Sequence, residues 1–400
     1  MPVDDAVRDY LLLALRLGDR RPGSVVAFSG DGRLLAEVRA ERPPSPAALV
    51  RAAGQLAARL PGLGLPPARA RFLTAQLVAL EVSARRLAGQ AFPFARELAT
   101  TYDSPVDRGS EDGYRAAHRE LDALLPGRGD LADRLAAHRR ADEVPRDRLA
   151  VAVEALAAAL RQRAGDAGLV TGDDALATGV VDGAPWAALH RRDGPRRSRL
   201  LVNADVRPRR AQLARLVAHE TGHHVEQWRR ETVLVAQRGW REHDIVLAGT
   251  PQNVISEGAA ELALRVLVGA AWGGWASAVL GGVGLGFDGE RAERIAAATD
   301  RLAGVRLDAA LLLHGGRARA ADVRTFLRRW LLIDDGRAAR VMAFLADPVW
   351  RGHTLAYVAG APLVRRWLER PCVDVATRLG DLHDGPWTPA ALREELRRPG

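Results

Sequence analysis

His219, Glu220 and His223 are the residues of this chain whose types and spacing could do chemistry. At about 3.6 residues per helical turn, the two histidines fall one turn apart on one face, so two imidazoles can close on one ion from a single rigid element. Glu220 lies beside that face, within reach of a water on the ion without being a ligand. Nitrogen ligands, an open water position and a general base are what a zinc hydrolase requires. With 10 His in 400 residues, and Glu taken as about half of the 49 acids, chance would give His-Glu-x-x-His only ~0.016 times per chain. The plain alternative is a polar helix face with two unliganded histidines.

The surroundings supply the positioning elements. Leu213, Leu216, Val217 and Val225 give the motif an amphipathic helix, and Pro208 suits its entry. Gly222 costs a helix ~1 kcal/mol relative to Ala, a cost met where another backbone or a ligand approaches closely. A catalytic zinc usually has three protein ligands, so a third must lie elsewhere. Glu257 is the best candidate. Pro251 opens a second helix on which Glu257 and Glu261 share a face, among Val254, Ile255, Ala259, Ala260, Leu262 and Leu264. Carboxylates are costly in such an apolar setting unless paired or metal-bound. The expectation is Glu257 as ligand and Glu261 as the acceptor that orients a ligand histidine, against a plain reading of two solvated acids.

Further along, His353 and Tyr357 stand four apart and would share a helix face. Peptide hydrolysis passes through a tetrahedral oxyanion, which a phenol O–H or an imidazole N–H can stabilise. The plain reading is a packed aromatic with a capping histidine.

These residues carry a family resemblance. His219-Glu220 with Gly222-His223-His224, followed by Thr250-Pro251-Gln252, Ile255-Ser256-Glu257-Gly258 and Glu261, resembles the bacterial gluzincin-like proteins filed as domain of unknown function 885. Residues 124–130, 197–203 and 352–360 are similar as well. The resemblance implies a zinc metallopeptidase with a mainly helical, zincin-like fold, in which the His-Glu helix and the Glu-Gly helix face a deep cleft. It further implies an edge strand, residues 199–204, that binds the substrate backbone by β-augmentation. It supports Tyr357 as the oxyanion donor, places His353 where relatives often have Gln, and matches His314 to a family histidine of open role. This chain departs from the family in its compact His-Glu-x-x-His, where many relatives have a longer, proline-containing version. The Gly-His-His end still selects His223, with His224 as the lesser substitute.

Composition bounds the rest. Four hundred residues with 48% hydrophobic content can bury a substantial core. The net charge of +9 comes from a chain whose 58 basic residues are all arginine, scattered among acids rather than massed, which argues against nucleic acid as a partner. Cys372 is the only cysteine, so no intrachain disulfide can form. Acidic residues near the start and Arg16 within a short apolar run do not make a secretory signal. Residues 266–287 lack charge, but their seven glycines with Trp272 and Trp275 fit a broken helical hairpin better than a membrane span. A cytoplasmic protein without membrane contact is expected.

The organisation read from the chain is a helical region, 1–165, continuous with a zinc-binding region, 166–400. Ser45-Pro46 fits the cap and first turn of a helix running to Leu60. Residues 171–208 are turn-rich and β-branched, and are read as two or three antiparallel strands before the motif helix. His190, in the second of these, is more simply a surface or core residue than a ligand. Helices follow to the C-terminus. The expected fold class is mainly α, with one small antiparallel sheet beside the metal helix. The expected activity is zinc-dependent hydrolysis of peptide bonds, and the resemblance, through its enclosed cleft, implies short peptides as substrates. Two alternatives are a non-catalytic zinc-binding scaffold and an amidohydrolase acting on a non-peptide amide.

Overall fold

Capping chemistry sets where the helices begin. Ser45 Oγ accepts the Ala48 N–H at 3.2 Å and Pro46 occupies the first turn, so the helix Pro46–Arg59 starts where the sequence places it. Likewise the Thr250 N–H donates to Asn253 Oδ1 at 3.1 Å, tying down the entry to the helix Pro251–Val268. The computed structural model describes residues 3–316, 318–371 and 373–398; Cys372 lies outside them. The fold is mainly α, 66% helical, with small sheets.

Three apolar cores organise the helices. The first joins Val3–Arg20, Gly32–Ala40, Pro46–Arg59 and Pro67–Leu87 around residues such as Tyr10, Leu49 and Leu73. Tyr102, Leu121, Trp330 and Leu355 belong to the second, and Leu156, Leu200, Val217 and Val364 to the third. The helix Pro251–Val268 serves two of them, giving Val254 to the second and Ile255, Ala259 and Leu262 to the third. That double duty explains why it is apolar nearly all round.

The strands depart from the sequence expectation. β1 (Val25–Phe28) pairs antiparallel with the short Ile245–Leu247 strand, which brings Ile245 and Leu247 into the first core. β2 (Ala175–Val181), β3 (Ala188–Gly194) and β4 (Arg197–Asn203) form a separate sheet in the order β2-β4-β3. β3 runs antiparallel to β4, as the tight turn through Gly194 (φ 145°) and Arg196 (φ 53°) demands. β2 pairs parallel with β4, so the sheet is mixed and not antiparallel throughout. The cause is β4 itself. Its Leu200-Leu201-Val202-Asn203 run is buried on both faces, a pattern that belongs to a central strand with neighbours on both sides. Residues 199–204 are therefore not an edge; β3 is one.

Glycine permits the closest helix contacts. A Cβ on Gly222 would stand 2.9 Å from Ala263 Cβ and 3.1 Å from Ala260 Cα, so the motif helix Arg210–Arg229 meets the helix Pro251–Val268 at backbone distance. On its other side that helix meets Thr354–Leu368, where a Cβ on Gly360 would lie 2.2 Å from the Val254 carbonyl oxygen. Gly360→Ala is expected to destabilise the fold by about 2 kcal/mol or more, since backbone cannot yield as a side chain can. Chemical denaturation checks this, and an unchanged midpoint would contradict the contact.

Pro251–Val268 and Trp272–Gly281 are bent by 75° at their junction, where Gly269 has φ 103°. No single helix among the described residues is long and apolar enough to cross a membrane.

Candidate metal centre

Leu213, Val217, Ala218 and Val225 bury one side of the motif helix and turn His219 and His223 towards the helix Pro251–Val268. His219 Nε2 and His223 Nε2 lie 3.2 Å apart. Glu257 Oε2 is 3.3 Å from the first and 3.7 Å from the second. Ligand atoms about 2.0–2.1 Å from a tetrahedral zinc are separated by about 3.3 Å, so this triangle has the edges of such a site. His219, His223 and Glu257 are also the one group of His, Cys, Asp or Glu side chains among the described residues able to hold a metal ion.

The groups behind these atoms can hold the imidazoles with Nε2 facing inward. His219 Nδ1 lies 3.4 Å from Glu261 Oε1. His223 Nδ1 lies 3.4 Å from Ser256 Oγ and 3.6 Å from Glu226 Oε2. With Nδ1 protons directed at those acceptors, the neutral imidazoles would turn both Nε2 lone pairs towards an ion placed between them. Glu257 Oε2 is buried without a hydrogen-bond donor, while His353 Nε2 stands 3.3 Å from Oε1 of the same carboxylate. The residues present therefore fit a cation such as zinc.

Without an ion, the surrounding carboxylates favour protonated imidazoles: burial opposes a charged His219, but Glu257 and Glu261 hold its pKa well above the ordinary value. An ion bound here would therefore displace protons from the pair. Burial works against the charge on Glu257, yet His219, His223 and His353 hold its pKa well below the usual carboxylate range. Burial also opposes a charged His223, but Glu226 and Glu257 outweigh it and raise the pKa to about 9. Burial raises the pKa of Glu220; His219 and His223 pull it down, Glu257 pushes it further up, and the His190 backbone N–H donates to it. Such a carboxylate takes up a proton more readily than a solvated one. Burial, with the charges of Glu257, Glu261 and Glu220, pushes the Tyr357 phenol well above its ordinary value, so it remains an O–H donor. Its ring centroid lies 6.2 Å from that of His219 and 5.2 Å from that of His353, edge-on to the latter. His353 stands one position ahead of the helix Thr354–Leu368, with its Nε2 on the Glu257 carboxylate rather than facing open space.

The other histidines lie outside the triangle. His224 turns away, with Nδ1 on Ser198 Oγ of β4 and Nε2 2.9 Å from Asp174 Oδ2. Arg161 grips that carboxylate at 2.7 and 3.0 Å. Burial disfavours the Asp174 charge, but His224 and Arg161 bring its pKa to about 2. His224 thus pins the motif helix to the sheet and cannot substitute as a ligand. His190, on β3, has its ring centroid 6.3 Å from that of His223. His314 is spent on the Leu345 carbonyl at 2.7 Å. The sequence reading missed Glu226 and Ser256, although Glu226, three residues after His223, shares its helix face.

Comparison with known proteins locates the fold and no more. No family model matches the chain, and no curated protein matches it. It is similar to the solved structure of a "putative lipoprotein of unknown function" from Shewanella oneidensis, 13% identical, with TM-score 0.50, covering 91% of this chain and 76% of that one. A "putative lipoprotein" from Colwellia psychrerythraea is 14% identical, with TM-score 0.49, over 91% of this chain and 68% of that one. The resemblance to the domain of unknown function 885 is thereby overturned, because no family model supports it and these neighbours bring no peptidase family with them. With it goes what rested on the resemblance alone, including the match of His314 to a family histidine. The candidate metal site rests on the distances given above.

Proposed function

We propose that this chain is a zinc-dependent hydrolase that cleaves peptide bonds, with His219, His223 and Glu257 holding the ion. The observation that carries the reading is the buried Glu257 Oε2, an acceptor without a donor, completing a triangle with two inward-facing Nε2 atoms. Zinc bound there would supply Lewis acidity towards a water and a carbonyl oxygen. Glu220 receives the proton of the attacking water and passes it to the leaving amine. Tyr357 donates its O–H to the oxyanion as charge develops there. Glu261, Glu226 and Ser256 hold the imidazoles in the ligating tautomer, and His353 fixes the carboxylate of Glu257. Access is consistent with this: the His219 and His223 side chains keep 15% and 19% exposure, whereas His224 keeps 2%. We assign the substrate a cleft on that side of the motif helix.

The test is a digest of a broad peptide library, run with and without chelator alongside elemental analysis. One zinc per chain is expected, with cleavage that stops on chelation and returns on adding zinc. Zinc-loaded protein that cuts no peptide would reject the activity, and protein that takes up no metal would reject the site.

A further inference from the structure

Apart from the metal centre, three guanidiniums converge on one small cavity. Arg21, Arg86 and Arg351 line it together with Glu97, Thr101 and Tyr102. Its volume is about 20 Å³, enough for one water-sized occupant. Three positive charges face one carboxylate. Glu97 is fully committed, one oxygen to Arg86 Nη1 at 3.2 Å and the other to Arg351 Nη2. Among the described residues Arg21 hydrogen-bonds to neutral groups, Ser83 Oγ at 3.5 Å and the Pro348 carbonyl, with Glu97 and Asp347 acting on it only through their charge. The nearby Asp347 carboxylate accepts the N–H groups of Val349 and Trp350 at 2.7 and 3.0 Å. The wall also holds two buried polar atoms without partners, Arg351 Nε and Thr101 Oγ1. An Arg Nε–H can only donate, so it requires an acceptor.

We propose that this cavity binds a single small monovalent anion of the size of chloride. An excess of positive charge disfavours an empty or cation-filled cavity, and two of its lining residues, Arg351 and Thr101, carry buried donors still in need of an acceptor. The volume suits a compact ion better than a phosphate ester or a peptide carboxylate with its chain. Burial lowers the Arg86 pKa to about 10, with Glu97 opposing and Arg351 and Arg21 adding to the fall, a strain that an anion would relieve. The three arginines come from separate stretches: the end of the first helix, the helix Pro67–Leu87, and the turn immediately before His353. The anion therefore fastens the N-terminal helices to the segment that carries His353. This site is independent of the hydrolase reading.

Bromide is the probe. Crystals of the full chain grown in bromide should show an anomalous peak between the guanidiniums. In solution, replacing sodium gluconate by sodium chloride at constant ionic strength, on the order of 0.1 M, should raise the melting temperature by about 1–3 °C. Arg351→Gln should abolish that rise. Should Arg351→Gln fail to fold, Arg21→Gln takes its place, since Arg21 has no carboxylate partner to strand. No bromide in the cavity, or a chloride effect undiminished in the folded variant, overturns the proposal.

Discussion

Glu220→Gln is expected to keep the fold and the zinc while lowering kcat on any cleaved peptide by about 10²–10⁴-fold, the usual contribution of a general base. The Glu220 carboxylate touches none of the three triangle atoms, and its contacts are the His190 backbone N–H and the electrostatic field of its neighbours. Gln is near-isosteric and can still accept that N–H, but it cannot take the proton of a water. KM should change little, because the residue acts on the reacting water rather than on the bound peptide. Zinc content and melting temperature are the controls. Unchanged hydrolysis in a variant that holds zinc would remove Glu220 from the mechanism and leave a binding scaffold as the better account of the metal.

His219→Ala and Glu257→Ala are each expected to abolish stoichiometric zinc binding and, with it, activity. Each removes one corner of the triangle, and two remaining donors do not make a tight site. Glu261→Gln should be milder, weakening zinc by about 10–100-fold in a chelator competition, because it alters only the hydrogen bond behind His219. His224→Ala should behave oppositely, sparing zinc while costing stability, since it cuts the buried link between Ser198 and Asp174. The ordering is the diagnostic. Full zinc retention in both His219→Ala and Glu257→Ala would reject the assigned ligands.

What could be read from the sequence follows the range of the interactions. Spacing along a helix is local, so the shared face of His219 and His223, the pairing of Glu257 with Glu261, and the close approach foreshadowed by Gly222 were all legible before any coordinates. So was the Ser45-Pro46 helix start, which depends on neighbours within one turn. Strand order is not local. The β-branched stretch announced strands, but only burial on both faces of Leu200–Asn203 reveals that β4 is central and that β2 joins it in parallel. The pairing of Val25–Phe28 with Ile245–Leu247 was invisible, because neither run is long enough to signal a strand and they are far apart in the chain. The role of His353 depended on a contact with another helix. From sequence it shares a face with Tyr357; in space its Nε2 is taken up by Glu257.

The glycine contacts on both sides of Pro251–Val268 bear on ion choice. A helix held at backbone distance by Gly222 on one flank and Gly360 on the other cannot slide or rotate to suit its guest. On the proposed reading, the geometry of the ligand triangle would then be set when the chain folds. A fixed frame selects by radius and coordination number. Its short nitrogen-to-oxygen edges match a small tetrahedral ion, whereas calcium, which takes about 6–8 oxygen ligands at longer distances, finds neither the room nor the donors. Discrimination against the abundant hard cations would then arise from helix packing, several residues away from any ligand atom.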